Sequence, residues 1–202
     1  MSPRAVILAG GKASRMGGAP KGLLEVGGRR ILDRLVDAAS AAFGTLPLLV
    51  ANDPAAAGWR PDLSVTADRI PDAGTLGGIH AALTTVAGPV VCVAWDMPFV
   101  TAVLLRRLAA DLDRFDAVLP ASDGPRGVEP LCAGYGPGCL GPIEAAIGRG
   151  DLRAIGFHQD IVVRVLDPAT IAPLGDPARL FFNVNTPADR VEAERLAAAD
   201  PR

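Results

Sequence analysis

Apolar residues in this chain come in short unbroken runs separated by stretches of helical spacing. Ala5 to Ala9 is a continuous aliphatic run that stops at glycine, as a strand buried on both faces does. Ile31, Leu32, Leu35, Val36, Ala39 and Phe43 then recur at helical spacing, and Gly44 follows as a stop signal. Leu46 to Ala51 reads as a second strand, with Asp53-Pro54 opening a short helix. Leu63 to Ala67 reads as a third strand ending at Asp68, followed by a turn-rich loop over 69–78 and a helix over Leu76 to Val86. Val90 to Ala94 has the pattern of a central strand, ending at Trp95-Asp96. Thr101 caps the next helix, which turns Val103, Leu104 and Leu108 to the core. Ala117-Val118-Leu119 and Leu131-Cys132-Ala133 are further strands. Ile143–Ile147 and Leu152–Phe157 are short helices, Ile161–Leu166 is a late strand, and Thr186-Pro187 begins the last helix, with Asp189 as capping acid. Strands alternating with helices predict a three-layer α/β/α sandwich, Rossmann-like, around a mostly parallel sheet of about seven strands. Ligands in such sheets sit beyond the carboxyl ends of the strands, which nominates the loops after Ala9, Asn52, Ala67 and Ala94.

Composition narrows this picture. A chain of 202 residues fits one domain over 1–202, and at 50% hydrophobic it can fill a core without staples. With 4% aromatic residues that core is aliphatic. A net charge of −2 and a pI near 5.7 exclude a polyanion-binding surface but not a local pocket for one nucleotide, so no nucleic-acid partner is expected. Cys92, Cys132 and Cys139 follow no metal-ligand spacing and are expected as buried thiols. There is no signal-peptide pattern and no apolar stretch near the roughly 20 residues a membrane helix needs. A cytoplasmic protein without membrane contact is the expectation.

The candidate chemistry lies after the first strand. Gly10, Gly11, Gly17 and Gly18 are interleaved with Lys12, Arg15 and Lys21. Glycines let backbone N–H groups approach an anion closely, and the cations offset its charge. The segment does not fit G-x-G-x-x-G leading into a helix, and Ala13 after Gly11-Lys12 breaks the P-loop pattern.

What these residues do resemble is the signature of nucleotidyltransferases, closest to the molybdenum cofactor guanylyltransferase (MobA) family. Leu8-Ala9-Gly10-Gly11, Arg15-Met16-Gly17 and Lys21 match in register. So do Gly74-Thr75-Leu76-Gly77-Gly78-Ile79, Trp95-Asp96-Met97-Pro98-Phe99, Glu129-Pro130-Leu131 and Asn183-Val184-Asn185-Thr186-Pro187, in the family's order along nearly the whole chain. The resemblance implies transfer of GMP from Mg-GTP to the terminal phosphate of molybdopterin, with release of pyrophosphate. It makes the N-terminal half nucleotide-binding and the C-terminal half acceptor-binding. Backbone groups of Leu8, Ala9 and Gly10 contact base and ribose, and Gly11 nears the phosphates. Arg15 and Lys21 neutralise the triphosphate, and Asp96 holds Mg²⁺. Asn52 and Asp68 lie on the nucleoside side, while Asn183 and Asn185 face molybdopterin. The implied partners are GTP and molybdopterin, with transient contacts to other cofactor-biosynthesis proteins or recipient apo-enzymes, in a mainly monomeric protein.

Each residue also has a plainer reading. Lys12 can be a solvated loop charge, Asp96 a cap for the helix near Thr101, and Asp68 and Asn185 turn formers. His80 reads as structural and His158 as solvated. Pro20, Thr75 and Trp95 depart from the family pattern, and Trp95, bulkier than the small residue or cysteine expected there, is expected to narrow the cleft. Two other functions stay open: a cytidylyltransferase of the same superfamily, acting on molybdopterin or a polyol phosphate, and a nucleotide-binding regulatory module without catalysis. Gly10 in place of alanine and the pair Asn183 and Asn185 favour guanine over cytosine.

Overall fold

The computed structural model describes residues 2–10, 20–124 and 126–199. The first aliphatic run is β1 (Arg4–Leu8), followed by the hairpin β2 (Glu25–Val26) and β3 (Arg29–Arg30) and by α1 (Ile31–Phe43). Next come β4 (Leu48–Val50), α2 (Ala56–Trp59), β5 (Ser64–Thr66), α3 (Gly74–Val86), β6 (Val90–Ala94) and α4 (Ala102–Ala109). The second half holds β7 (Ala117–Pro120), β8 (Cys132–Tyr135), α5 (Leu140–Gly148), β9 (Val163–Leu166), α6 (Pro168–Ile171), α7 (Pro177–Leu180) and α8 (Pro187–Ala199). Seven strands form one sheet in the order β5-β4-β1-β6-β8-β7-β9, parallel except for β8, which runs antiparallel to both neighbours. The expected α/β architecture with about seven strands is the one observed.

The alternation of side chains along β1 explains the layering. Ala5, Ile7 and Ala9 enter one core with the inner faces of α1, α4 and α8, while Val6 and Leu8 enter the other with α3 and α5. The periodic face of α1 buries Ile31, Leu32, Leu35, Val36 and Ala39, and Gly44 ends that helix in the left-handed region at φ 70°, its N–H bonding Ser40 O at 2.8 Å. Parallel pairing in register (Val6 opposite Leu48 and Cys92) brings the ends of β1, β4, β5 and β6 to one edge. None of the helices among the described residues is long and apolar enough to cross a membrane.

Four local expectations change. Val103, expected on the core face of α4, is 47% exposed, and Leu105 takes its place beside Leu104 and Leu108. The helix over Leu152–Phe157 is absent, and turns occupy that segment. Asp151 takes the Arg153 N–H (3.2 Å) and the guanidinium of the same residue, and Gly156 is a weak helix former, so side-chain bonding outcompetes the helical ladder. The helix expected from Leu76 begins at Gly74. The short α6 and α7, each opened by an aspartate cap and a proline, carry too little periodicity to stand out in the pattern. The three cysteines are free and buried as expected, and burial pushes the Cys139 thiol up to about 12.

Candidate active site

The carboxyl edge of the sheet carries two clusters. The first joins the ends of β4 and β5. Asn52 and Asp68 bind each other reciprocally: the Asn52 amide donates to Asp68 Oδ2 at 2.9 Å, and the Asp68 backbone N–H donates to Asn52 Oδ1 at 2.8 Å. β4 and β5 are adjacent parallel strands, so residues just past their ends face one another. Asp68 is therefore held by a partner and is more than a turn former. Its carboxylate lies against the first turn of α3. A Cβ added to Gly77 would stand 3.1 Å from Asp68 Oδ2, closer than side-chain carbons normally come, so the small residues let the helix press against the carboxylate. A carboxylate at a helix N-terminus is also favoured by the helix dipole.

The second cluster gathers around Lys21. This residue opens a 3-10 turn, Lys21–Leu23, in which Leu23 N–H bonds Pro20 O and Leu24 N–H bonds Lys21 O, both at 3.0 Å. Its ammonium donates to Asn185 Oδ1 at 2.6 Å and to Asp96 Oδ2 at 3.2 Å. The side chains of Lys21 and Asp96 are only 13% and 15% exposed, so the ion pair is screened much less than a surface one. Asp96 follows β6. It does not cap the next helix, because Thr101 Oγ1 itself accepts the Leu104 N–H at 3.3 Å. The Asp96 backbone carbonyl accepts the Val184 N–H at 2.9 Å, which brings the Asn183–Asn185 segment from the far end of the chain to β6.

Asn185 is in turn fixed by Asp189. The Asp189 carboxylate accepts the backbone N–H groups of Asn185 (2.9 Å) and Thr186 (2.7 Å), while Thr186 Oγ1 accepts the Asp189 N–H at 3.2 Å. This is the reciprocal cap predicted for the last helix. Partial burial alone would raise the Asp189 carboxyl. The donated N–H groups, the Thr186 hydroxyl and the nearby Lys21 charge outweigh it and hold the group below its ordinary 3.8. The capping signal was visible in the sequence, but its second task of orienting Asn185 toward Lys21 was not.

The other expected residues have part of their hydrogen-bonding capacity committed within the chain. Leu8 ends β1 and Ala9 follows it in the sheet: Ala9 N–H is bonded to Val50 O at 2.8 Å, and Leu8 O accepts the Trp95 N–H at 3.2 Å. Gly10 is the exposed member of the three. Asn183 donates its amide to Phe181 O at 2.8 Å, and Asn185 uses its carbonyl oxygen on Lys21, so its NH2 group is what it can offer a substrate. Gly11, Lys12 and Arg15 lie outside the described residues. Trp95 does not narrow the cleft. The residue is 5% exposed and belongs to the core beneath α1 and α4, and its indole stacks on Trp59 with ring centroids 5.0 Å apart.

Other polar groups serve the scaffold. His80 is buried in α3, with Nε2 3.0 Å from Glu144 Oε1 on α5. His158 is packed edge-on against Phe157 instead of being solvated, and burial lowers its pKa. Glu129 precedes β8 beside the end of β6, where Ala94 N–H bonds Leu131 O at 2.7 Å, and desolvation raises its carboxyl pKa. No group of three or more histidine, cysteine or acidic residues placed to hold a metal occurs among the described residues.

One part-buried ammonium, one carboxylate and one amide converge at the carboxyl ends of the strands. The chain is 34% identical, over 193 residues covering 95% of it and 92% of the relative, to a probable molybdenum cofactor guanylyltransferase of Pelotomaculum thermopropionicum. A molybdenum cofactor guanylyltransferase of Desulfosudis oleivorans is 30% identical over 96% of this chain and 95% of its own length. The crystal structure of molybdopterin-guanine dinucleotide biosynthesis protein A from Archaeoglobus fulgidus superposes with a TM-score of 0.84 at 26% identity, covering 97% of this chain and 99% of that one. Residues 5–162 match the MobA-like NTP transferase domain, and the chain belongs to that family of nucleotidyltransferases.

Proposed function

We propose that the chain transfers GMP from GTP to the terminal phosphate of molybdopterin and releases pyrophosphate. The observation that carries this reading is the convergence of Lys21, Asp96 and Asn185, from three remote stretches of sequence, on one ammonium at the strand ends. An acceptor phosphate oxygen attacks the α-phosphorus; the new P–O bond forms as the bond to the pyrophosphate oxygen breaks, and the leaving group departs in line. The attacking oxygen is already anionic, so positioning and charge neutralisation suffice and no general base is required. Lys21 meets the charge on the α-phosphate, with Arg15 as the second cation. Gly10 and Gly11 bring backbone N–H groups to the nucleotide.

The donor set fits Mg²⁺. That ion is usually held by one or two carboxylates together with substrate phosphates and water, and Asp96 supplies a single carboxylate at a central strand end. When bound there, Mg²⁺ would neutralise phosphate charge. Asp68, steadied by Asn52, offers an acceptor edge on the nucleoside side. Such an edge suits the N1–H and 2-amino donors of guanine, whereas cytosine presents one amino donor beside two acceptors. Asn183 and Asn185 belong to the acceptor side. Asp189 keeps Asn185 in place, and Lys21 links that side to the phosphates.

The test compares binding of GTP, CTP and ATP and then follows pyrophosphate release from each with molybdopterin and Mg²⁺ present. GTP should bind tightest and be consumed only with the acceptor. Faster turnover of CTP would replace the guanylyl reading, and binding of GTP without any turnover would point to a regulatory module.

A further inference from the structure

The 3-10 turn that carries Lys21 packs against α1 and, at its middle residue, against Trp95. Gly22, buried, lies so close to the six-membered ring of Trp95 that a Cβ added to it would stand 2.5 Å from Cε3, 3.1 Å from Cδ2 and 3.3 Å from Cζ3. The ring cannot retreat: it is buried and stacked on Trp59, the last residue of α2. Its Nε1–H has no hydrogen-bond acceptor among the described residues, so packing alone sets its position. Trp95 also follows directly on β6 and precedes Asp96, and its backbone N–H is tied to Leu8 O at 3.2 Å. One residue thus fixes two things at once: its neighbour Asp96 through the backbone, and the backbone of Lys21 through the indole.

We infer that Trp95 is a positioning residue for catalysis, its indole being the platform that sets the height of the Lys21 turn so that the ammonium reaches both Asp96 and Asn185. The inference rests on the functional reading for its effect on turnover, but the placement of Lys21 can be read without any substrate. A fixed backbone limits the rotamers by which a flexible four-carbon stem can bring its ammonium to Asp96 and Asn185 together.

The composition makes the test clean. Lys12 and Lys21 are the only lysines in the chain, against eighteen arginines, so amine acylation followed by peptide mass spectrometry reports Lys21 against Lys12 as internal reference. Trp95→Phe keeps an apolar ring in the core but ends short of Cε3 and Cζ3, leaving a gap under Gly22. In that variant the Lys21-to-Lys12 acylation ratio should rise several-fold, and kcat should fall about tenfold or more at unchanged Lys21 and Asp96. Gly22→Ala alone should lift the turn off the ring and lower kcat by a similar factor. The double variant Gly22→Ala/Trp95→Phe should recover toward wild type in both readouts, because the alanine methyl takes the space vacated by the larger ring. A merely structural role for Trp95 gives no such reciprocal rescue. The inference is overturned if the acylation ratio in Trp95→Phe equals that of wild type, or if Gly22→Ala costs the same in both backgrounds. Should wild type itself release no pyrophosphate from GTP, the functional reading fails, and the acylation ratios still decide the platform.

Discussion

The two clusters at the carboxyl edge are built by different rules. Asn52 and Asp68 are 16 residues apart, sit just past neighbouring parallel strands, and bond to each other near solvent. Lys21, Asp96 and Asn185 are separated by 75 and 164 residues and meet in a partly buried setting. The first cluster follows from local topology, and its side chains can change without disturbing a core. The second depends on a stacked tryptophan below, a helix cap behind and a backbone bond from Val184 to Asp96. On the proposed roles, the chemistry sits where the fold is most constrained and nucleobase choice where it is least constrained.

The sharpest way to break that contrast is at Lys21. Lys21→Ala should lower kcat/KM for pyrophosphate release by about 10²–10³, the cost of removing one preorganised donor at a developing charge. Lys21→Arg should restore little, because a planar fork cannot replace a compact ammonium between Asp96 and Asn185. Both variants should fold with melting temperatures near wild type, since the contact is confined to the cleft.

A smaller effect is expected on the nucleoside side. Asp68→Ala should narrow the preference for GTP over CTP by about tenfold or more, through weaker GTP binding, while the kcat at saturating GTP changes little. If kcat fell as far as in Lys21→Ala, the division of labour between the clusters would be wrong.

Asp189 tests how far the second cluster depends on its support. Asp189→Ala should cost about 1 kcal/mol of stability through loss of the helix cap and should also reduce turnover, because Asn185 loses the group that orients it. A purely structural cap would show the first effect without the second.

The mildest effect is on pH. Asp189 titrates below its ordinary 3.8 in the folded chain, so the stability it contributes is present above that value and is lost as pH falls through the lower folded value. The difference in melting temperature between wild type and Asp189→Asn should be constant near neutral pH, shrink as pH falls below 3.8 and vanish below the lower folded value. A difference that persisted there would assign the stabilisation to something other than the ionised cap.

Much of the fold was legible because the strands announce themselves as aliphatic runs and α1 as a clean apolar stripe. The last helix was legible from Thr186 and Asp189. The segment after α5 was misread because Asp151 bonds locally, an effect that periodicity does not record. Within the site, Lys21, Asp96, Asn52 and Asp68 could be named from motif register and strand ends. The sheet engages the Ala9 N–H and the Leu8 carbonyl, a commitment that motif register does not record.

Trp95 marks the division most clearly. By itself the sequence determined the class of fold, the edge of the sheet that carries the site and the charged groups that belong to it, because these follow from hydrophobic period and residue type. It could say only that a large ring stood where a small residue was expected. Tertiary structure decided which way that ring points, and so whether it blocks the cleft or supports it. A side chain at a strand end can turn toward the ligand or into the core, and the packing of Gly22 and Trp59, both remote in sequence, makes the inward choice.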